Sequence, residues 1–427
     1  MTGASRLLAL ALAVGLVARI ALALTHGPLA SDEQDYDRLG WTLATTGKYS
    51  ENGSPTAYRS IGYPAFIAGI YALAGRSPRA VQAVQVALDL ATALLLYGIA
   101  ARRSRRAGIA AGSIWALYPA AILFSGLHLS ETVYVFLLVL FTWLVVRTPK
   151  RAAGTIFAGA LLGTLIVLKP GSLVFAVLLA PILLRGGLGA RSVAILLATA
   201  TVVVVPWVVR NSVVLRRPVL STSLGPNLLI GNNPNATGAY GPALVPERVR
   251  NARGEVAVDF EARNAALQFI TTQPGRFLTL AMVKCALVIS SDAEVAVGRF
   301  TRRDPSSFAS YRDRYRSLAV GIHAVVSLPY FALVLAGILG LVLRPNGIER
   351  SVFAALVVSV LLVHAATFGG SRFHFPWMPF FALFAARLAD GWRGGLSTAR
   401  PLAVTVGVAA MAIAVAVWVT EAWRLAG

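Results

Sequence analysis

Stretches of 17 or more residues without a single charge recur along the chain, and they leave the backbone few choices. In hydrocarbon each N–H and C=O must find its partner within the segment, so runs of this length become helices that cross a bilayer. Apolar segments of this kind lie at roughly 7–24, 80–101, 107–127, 129–146, 152–168, 171–184, 192–209, 318–343, 351–368, 376–390 and 401–420. Hydrophobic residues make up 57% of the 427 and charged ones only 13%, a balance outside the range of soluble domains. The expected fold class is an all-α polytopic membrane protein with about 11 transmembrane helices, read as a single domain over 1–427.

Charge then orients the helices. Lys and Arg number 39 against 18 acids, a formal charge of +21. In a soluble protein that excess would suggest nucleic acid; here it fits loops held on the cytoplasmic face beside anionic lipid, and no nucleic-acid partner is expected. Alternate loops gather Arg6, then Arg102, Arg103, Arg105 and Arg106, then Arg147, Lys150 and Arg151, then Arg185 and Arg191, then Arg344 and Arg350, then Arg387, Arg393 and Arg400. Glu349 and Asp390 are the only acids among them. The expectation is a bacterial plasma-membrane protein with a cytoplasmic N-terminus, a C-terminus outside and the other loop acids on the extracytoplasmic face. Leu7–Leu24 resembles a signal peptide, but no A-x-A site precedes the next loop, so it is read as a retained first helix. The lone Cys285 excludes an intramolecular disulfide and a cysteine metal cluster.

Several stretches need separate placement. Segment 171–184 has 14 residues, about 21 Å of helix, short of a core about 30 Å thick. Segment 61–75 is also too short, and a crossing there would invert every later assignment, so it is laid along the outer surface as an interfacial or re-entrant helix. The first outer loop thus covers 25–79. The region 210–317 reads as a large, helical, outer-face subdomain, with 274–291 amphipathic and interfacial. No fixed-period repeat, Walker-type glycine loop or dinucleotide fingerprint is present.

The first outer loop is crowded with acid: "SDEQDYD" places Asp32, Glu33, Asp35 and Asp37 within six residues. Ser31 and Gln34 have the spacing of a capping box, Tyr36, Leu39 and Leu43 recur at helical spacing, and Gly47 ends the helix. Asp32, Asp35 and Tyr36 share one face of it. Acids in a first turn complement the helix dipole for under about 1 kcal/mol each, which is enough to explain Glu33 and Asp37. Asp32 asks for more, because ionisable groups from other segments reach the same depth: Glu131, Lys169, Arg210 with Asn211, and Arg372 with His374. Such groups at a membrane boundary are costly and point to function. Carboxylates facing cations there suit glycosyl transfer from a lipid-phosphate sugar: one carboxylate takes the acceptor's proton, and cations neutralise the departing phosphate.

The motifs, in order, resemble the GT-C superfamily of polyprenyl-phosphate-sugar-dependent glycosyltransferases, especially the branch of protein O-mannosyltransferases and the lipid A aminoarabinose transferase. "DEQDY" resembles that family's D-E-x-x-Y, and "PTAYRSIGYP" the P-T-x-x-R-x-x-G-Y-P run that follows it. "LSETVYVF", "VLKPGS", "PWVVRN", "GNNPNATGAY" and "SRFHFPWMPFF" resemble its later elements. The resemblance implies a GT-C-like fold, an inverting mechanism with Asp32 as general base, Glu131 as partner carboxylate, and Lys169, Arg210 and Arg372 on the donor phosphate. It also implies that Glu33, Tyr36, Arg59, Tyr63 and His374 line the site. Some relatives hold a divalent cation near the catalytic loop; Glu33, Glu131 and His374 offer ligands, yet no ligand spacing demands a metal and none is assigned. The second motif carries Glu where several relatives carry Asp, and the large soluble C-terminal domain of the aminoarabinose transferase has no counterpart here, so the acceptor hydroxyl stays unnamed.

Two other classes compete. A transporter or flippase for a lipid-linked or anionic substrate would use intramembrane charge, for which Asp89, with Arg19 as its candidate partner, is the handle. A non-catalytic lipid-phosphate scaffold would need the cations but not Asp32.

Overall fold

The computed structural model describes residues 3–25, 27–29, 31–147, 152–241, 243–301, 320–343, 347–390 and 401–426. Loop cations Lys150, Arg151, Arg344, Arg393 and Arg400 and the stretch 302–319 lie outside the described residues. Helix α1 (Gly3–Leu24) leads to α2 (Asp32–Thr46), a hairpin of β1 (Ser50–Glu51) and β2 (Ser54–Pro55), and α3 (Gly62–Ala74). Then come α4 (Pro78–Ala100), α5 (Arg105–Leu117), α6 (Pro119–Ser125), α7 (Glu131–Arg147), α8 (Ala152–Leu168), α9 (Ser172–Arg185) and α10 (Ala190–Val214). A group of mostly shorter helices follows: α11 (Leu224–Gly231), α12 (Glu247–Asn251), α13 (Glu255–Thr272), α14 (Pro274–Ile289) and α15 (Ala293–Thr301). The chain returns to long helices with α16 (Val320–Leu343) and α17 (Ile348–Ala366), a 3₁₀ helix over Ser371–Trp377, α18 (Met378–Ala386) and α19 (Pro401–Ala426).

All the apolar segments expected from the sequence are largely helical over their described residues, but their lengths differ. Among the described residues six helices are long and apolar enough to cross a membrane, namely α1, α4, α10, α16, α17 and α19; α5 and α6, bent by 55°, bring the number to seven if they form one span. The expected eleven is not reached on length. Pro119 supplies no N–H to continue α5, and helix 172–185 has only 14 residues. Leu7, Val17, Val202, Val213, Leu402 and Val406 stand exposed on α1, α10 and α19, apolar surface suited to lipid contact.

The helices pack closely where side chains are small. A Cβ on Gly159 or Gly163 of α8 would lie 2.5 Å and 2.6 Å from backbone oxygens of Leu196 and Ala200 in α10, so this glycine pair lets two backbones touch. Arg19 of α1 is fully buried; its Nε donates to Asp89 of α4 at 2.7 Å, and its Nη1 donates to Ala116 O at 2.7 Å. The indole of Trp115 donates to the other Asp89 oxygen at 3.0 Å. Asp89 is therefore part of a packed network joining α1, α4 and α5.

The hairpin and α3 shape the first loop. Asn52 and Gly53 turn the hairpin at φ 49° and 80°, both left-handed, as a two-residue turn requires. The capping box does not form: Ser31 sits at φ 48° and makes no side-chain cap, and Gln34 Nε2 donates instead to Leu29 O at 2.7 Å. An N-cap residue needs an extended backbone to present its oxygen, and Ser31 lacks it. Gly47 closes α2 as expected, at φ 67°, with its N–H on Leu43 O at 3.0 Å. Helix α3 lies on α2, with Gly40 facing Ile67 so closely that a Cβ would come within 2.5 Å.

Arg19→Met leaves the Asp89 carboxylate buried beside a thioether and should cost about 3–5 kcal/mol. The paired change Arg19→Met with Asp89→Leu removes both charges and should recover most of the loss. Thermal melting of the detergent-purified protein checks both.

Candidate active site

Seven segments meet in a cavity of about 250 Å³: the first turns of α2, the loop after the hairpin, the start of α7, the α8–α9 turn, the stretch 221–227 leading into α11, the end of α17 and the 3₁₀ helix. Each is held there for a local reason. The loop carrying Arg59 is clamped on several sides: Glu255 of α13 accepts from Thr56 Oγ1 at 2.6 Å and Ala57 N at 2.7 Å, and Tyr49 Oη donates to Arg59 O at 2.9 Å. Ser60 Oγ donates to Val167 O at 2.6 Å, and Gly62 lies so near Leu168 that a Cβ would be 2.6 Å from its backbone. That contact draws the loop to the end of α8, where Lys169 precedes Pro170, a residue pair that disfavours further helix.

The turn bearing Arg372 is fixed by its neighbours. Phe375 packs 4.3 Å from Phe124 between ring centroids, and Phe373 stacks on His364 of α17 at 3.7 Å. His374 is fully buried, its Nδ1 2.6 Å from Val288 O and its Nε2 2.6 Å from Asp292 Oδ1, with Tyr330 stacked on the ring at 4.6 Å. Tyr118 Oη donates to the other Asp292 oxygen. Glu294 accepts from Ser371 Oγ at 3.2 Å and from the Arg372 N–H at 3.3 Å.

The charged side chains form two groups on the cavity wall. Arg59 Nη2 donates to Asp32 Oδ1 at 2.6 Å and to Asp35 Oδ2 at 2.9 Å, while Arg372 Nη1 donates to Asp32 Oδ2 at 3.1 Å. Each oxygen of Asp32 thus meets a different guanidinium. Lys169 Nζ donates to Glu131 Oε1 at 3.0 Å and lies 5.5 Å from the Tyr134 ring centroid. Burial opposes ionisation of Asp32, but the charges and hydrogen bonds of Arg372 and Arg59 outweigh it and hold its pKa below the usual value. Burial likewise works against charge on Arg59, and Asp32 together with Asp35 and the other groups around it more than reverses the effect. Burial pushes the Tyr36 hydroxyl up to about 12, so it stays protonated at neutral pH.

Of the residues expected at the site, Asp32, Glu131, Lys169, Arg372, Tyr36 and Arg59 line this cavity. The other four do not. Arg210 donates to Thr56 O at 2.7 Å and to Asn211 Oδ1 at 2.9 Å and lies against Trp207, so it braces the Arg59 loop from behind. Glu33 accepts from the His128 N–H at 2.8 Å, Tyr63 donates to Gln85 Oε1 at 2.8 Å, and His374 is spent on Asp292. The three candidate metal ligands therefore do not converge, and no group of three or more His, Cys, Asp or Glu among the described residues is placed to hold a metal ion. Glu255, Glu294, Asn227 and His364 were not singled out from the sequence, because none belongs to a motif or a periodic pattern.

No protein-family model and no curated protein matches the sequence. Solved structures do. The archaeal oligosaccharyltransferase AglB from Archaeoglobus fulgidus, in complex with an inhibitory peptide and a dolichol-phosphate, aligns at 13% identity with a TM-score of 0.50 over 99% of this chain and 56% of its own. The same species' enzyme tethered to an acceptor peptide with the NVT sequon gives 13% identity and a TM-score of 0.51 over 99% and 55%. ArnT from Cupriavidus metallidurans bound to undecaprenyl phosphate aligns at 14% identity with a TM-score of 0.44 over 90% and 77%. The chain thus spans little more than half the length of the oligosaccharyltransferase. At these identities the likeness is one of fold: the helices adopt the GT-C-like arrangement expected from the motifs.

Because its native pKa is depressed, Asp32 stabilises the fold fully above the ordinary unfolded carboxylate value of about 3.9 and loses that contribution as pH falls through the lower native value. Thermal melting between pH 7 and pH 3 should therefore show an acid-side loss in the wild type that is smaller in Asp32→Asn.

Proposed function

We propose that this GT-C-fold chain is an inverting glycosyltransferase that moves a sugar from a polyprenyl-phosphate donor to an acceptor hydroxyl, with Asp32 as general base. The observation that carries the reading is the single carboxylate of Asp32 held between Arg59 and Arg372 on a cavity wall that also carries Lys169. The alternation of basic loops supports a cytoplasmic N-terminus and a site on the extracytoplasmic face.

The reaction asks for three things that these residues suit. The acceptor oxygen attacks the anomeric carbon from the side opposite the phosphate. The bond from that carbon to the phosphate oxygen breaks, and the electron pair leaves with polyprenyl phosphate. The acceptor's proton passes to the Asp32 carboxylate. Negative charge grows on the leaving phosphate, and Arg59, Arg372 and Lys169 are the cations available to meet it. Val360 and Val363 of α17 line the same cavity and give the lipid chain an apolar wall. The oligosaccharyltransferase of like fold is solved with a dolichol-phosphate, a ligand of the same chemistry.

A carboxylate braced by two arginines is a weak base, and that has a consequence for timing. A phosphate arriving between the same cations competes with Asp32 for them. As their pairing shifts to the donor, the force depressing the Asp32 pKa weakens and its basicity rises. Asp32 then becomes an effective proton acceptor only when the donor is in place, which limits wasteful chemistry without it.

In membranes supplied with labelled polyprenyl-phosphate sugars, Asp32→Asn should lower transfer at least about a hundredfold at equal protein abundance, since the amide keeps the shape and loses the base. Equal transfer by both proteins would reduce Asp32 to a helix-end charge. If the wild type transfers none of the sugars, the reading loses its footing.

A further inference from the structure

Beside the two charged groups, with the Arg59 guanidinium 5.4 Å from the Tyr58 ring centroid, part of the cavity wall is made by Tyr58, Ser221, Ser223, Asn227 and His364, none of which the proton and phosphate chemistry uses. This wall is built into the site. Ser221 Oγ donates to Tyr58 O at 2.9 Å and lies 2.7 Å from Ser223 Oγ, while Thr222 N donates to Ala57 O at 3.0 Å. The serines are thereby fastened to the loop of Arg59, one residue from a cation assigned to the donor phosphate. Asn227 lies on α11, and its carboxamide makes no hydrogen bond within the described residues. His364 Nδ1 is 2.9 Å from Phe368 O. A carbonyl can only accept, so Nδ1 carries the proton, and in the neutral ring Nε2 is left as an acceptor. Hydroxyls, an amide and an imidazole acceptor together match the donors and acceptors of sugar hydroxyls.

Charge narrows the ligand further. The cations Arg59, Lys169 and Arg372 on the wall are matched by Asp32 and Glu131 and by Asp35, which accepts from Arg59 at 2.9 Å, so no uncommitted charge is left to meet a charged sugar. A carboxylate or ammonium on the sugar would be desolvated against hydroxyls and an amide with no counter-charge on that wall.

We infer that Tyr58, Ser221, Ser223, Asn227 and His364 form the donor-sugar subsite and that it takes an uncharged, polyhydroxylated sugar. The inference rests on the donor-phosphate reading above. It is tested with the full-length protein in nanodiscs by displacement of a fluorescent farnesyl phosphate. The competitors are farnesyl phosphate and three farnesyl-phosphate hexosides that differ at one exocyclic carbon: hydroxymethyl, carboxylate or aminomethyl. The hydroxymethyl donor should bind at least about tenfold more tightly than farnesyl phosphate and than either charged analogue. Asn227→Asp, with folding followed by its melting temperature, should move the preference toward the aminomethyl donor by at least about tenfold. If all three hexosides bind like farnesyl phosphate, or a charged one binds best, the subsite is overturned while the phosphate reading stands. A folded Asn227→Asp protein that keeps the wild-type preference would also overturn it. If no competitor and no probe binds at all, the donor-phosphate reading falls and takes the subsite with it.

Discussion

The arrangement turns on one ion group, Asp32 between Arg59 and Arg372. Its members come from positions 27 and 340 residues apart from the acid, so every other feature near the site can be understood as holding three distant segments at hydrogen-bonding distance. The group is only partly buried, with side-chain exposures of 21%, 24% and 31%, so it keeps its charge and stays open to a ligand. A fully buried triad would be locked by its desolvation cost, as Arg19 and Asp89 are.

Two kinds of support maintain the geometry. Aromatic packing fixes the Arg372 turn, where Phe373, His374 and Phe375 each enter a different contact and leave the arginine no room to rotate away as a unit. Polar clamps fix the Arg59 loop, where Glu255, Tyr49 and Arg210 satisfy the backbone of a segment that has no helix or sheet to do so. Arg210 illustrates how a conspicuous cation near a helix end can serve the site by holding a loop without entering the cavity.

The same geometry sets a tension between binding and basicity. Arginines that are good for a phosphate are bad for the proton affinity of the carboxylate they touch. Sharing the cations between Asp32 and an incoming phosphate resolves it, because the donor itself withdraws the charges that suppress the base. Lys169 is committed to Glu131 on another part of the wall, and Asp35 shares Arg59 with Asp32, so the cavity carries paired charges in place of a strongly cationic field.

Hydropathy alone determined the helical, membrane-embedded class, because a bilayer permits no other use of charge-free runs this long. The spacing of Asp32, Asp35 and Tyr36 put the acids on one helix face, and the depth of Glu131, Lys169, Arg210, Arg372 and His374 grouped them with Asp32, and three of these five line its cavity; these are local or topological properties, legible one segment at a time. Other outcomes needed the folded chain. Ser31 and Gln34 have the spacing of a capping box, yet the backbone enters α2 at a left-handed residue. His374 and Arg372 are two residues apart and looked equally exposed to function, but a 3₁₀ turn sends one into the packed interior and the other to the cavity. Glu255, Asn227 and His364 come from three different helices and reach the first loop or the cavity beside it only through packing across 100 residues or more. Periodicity along the chain carries no information about such contacts, because they are decided by how helices of unequal length close on one another.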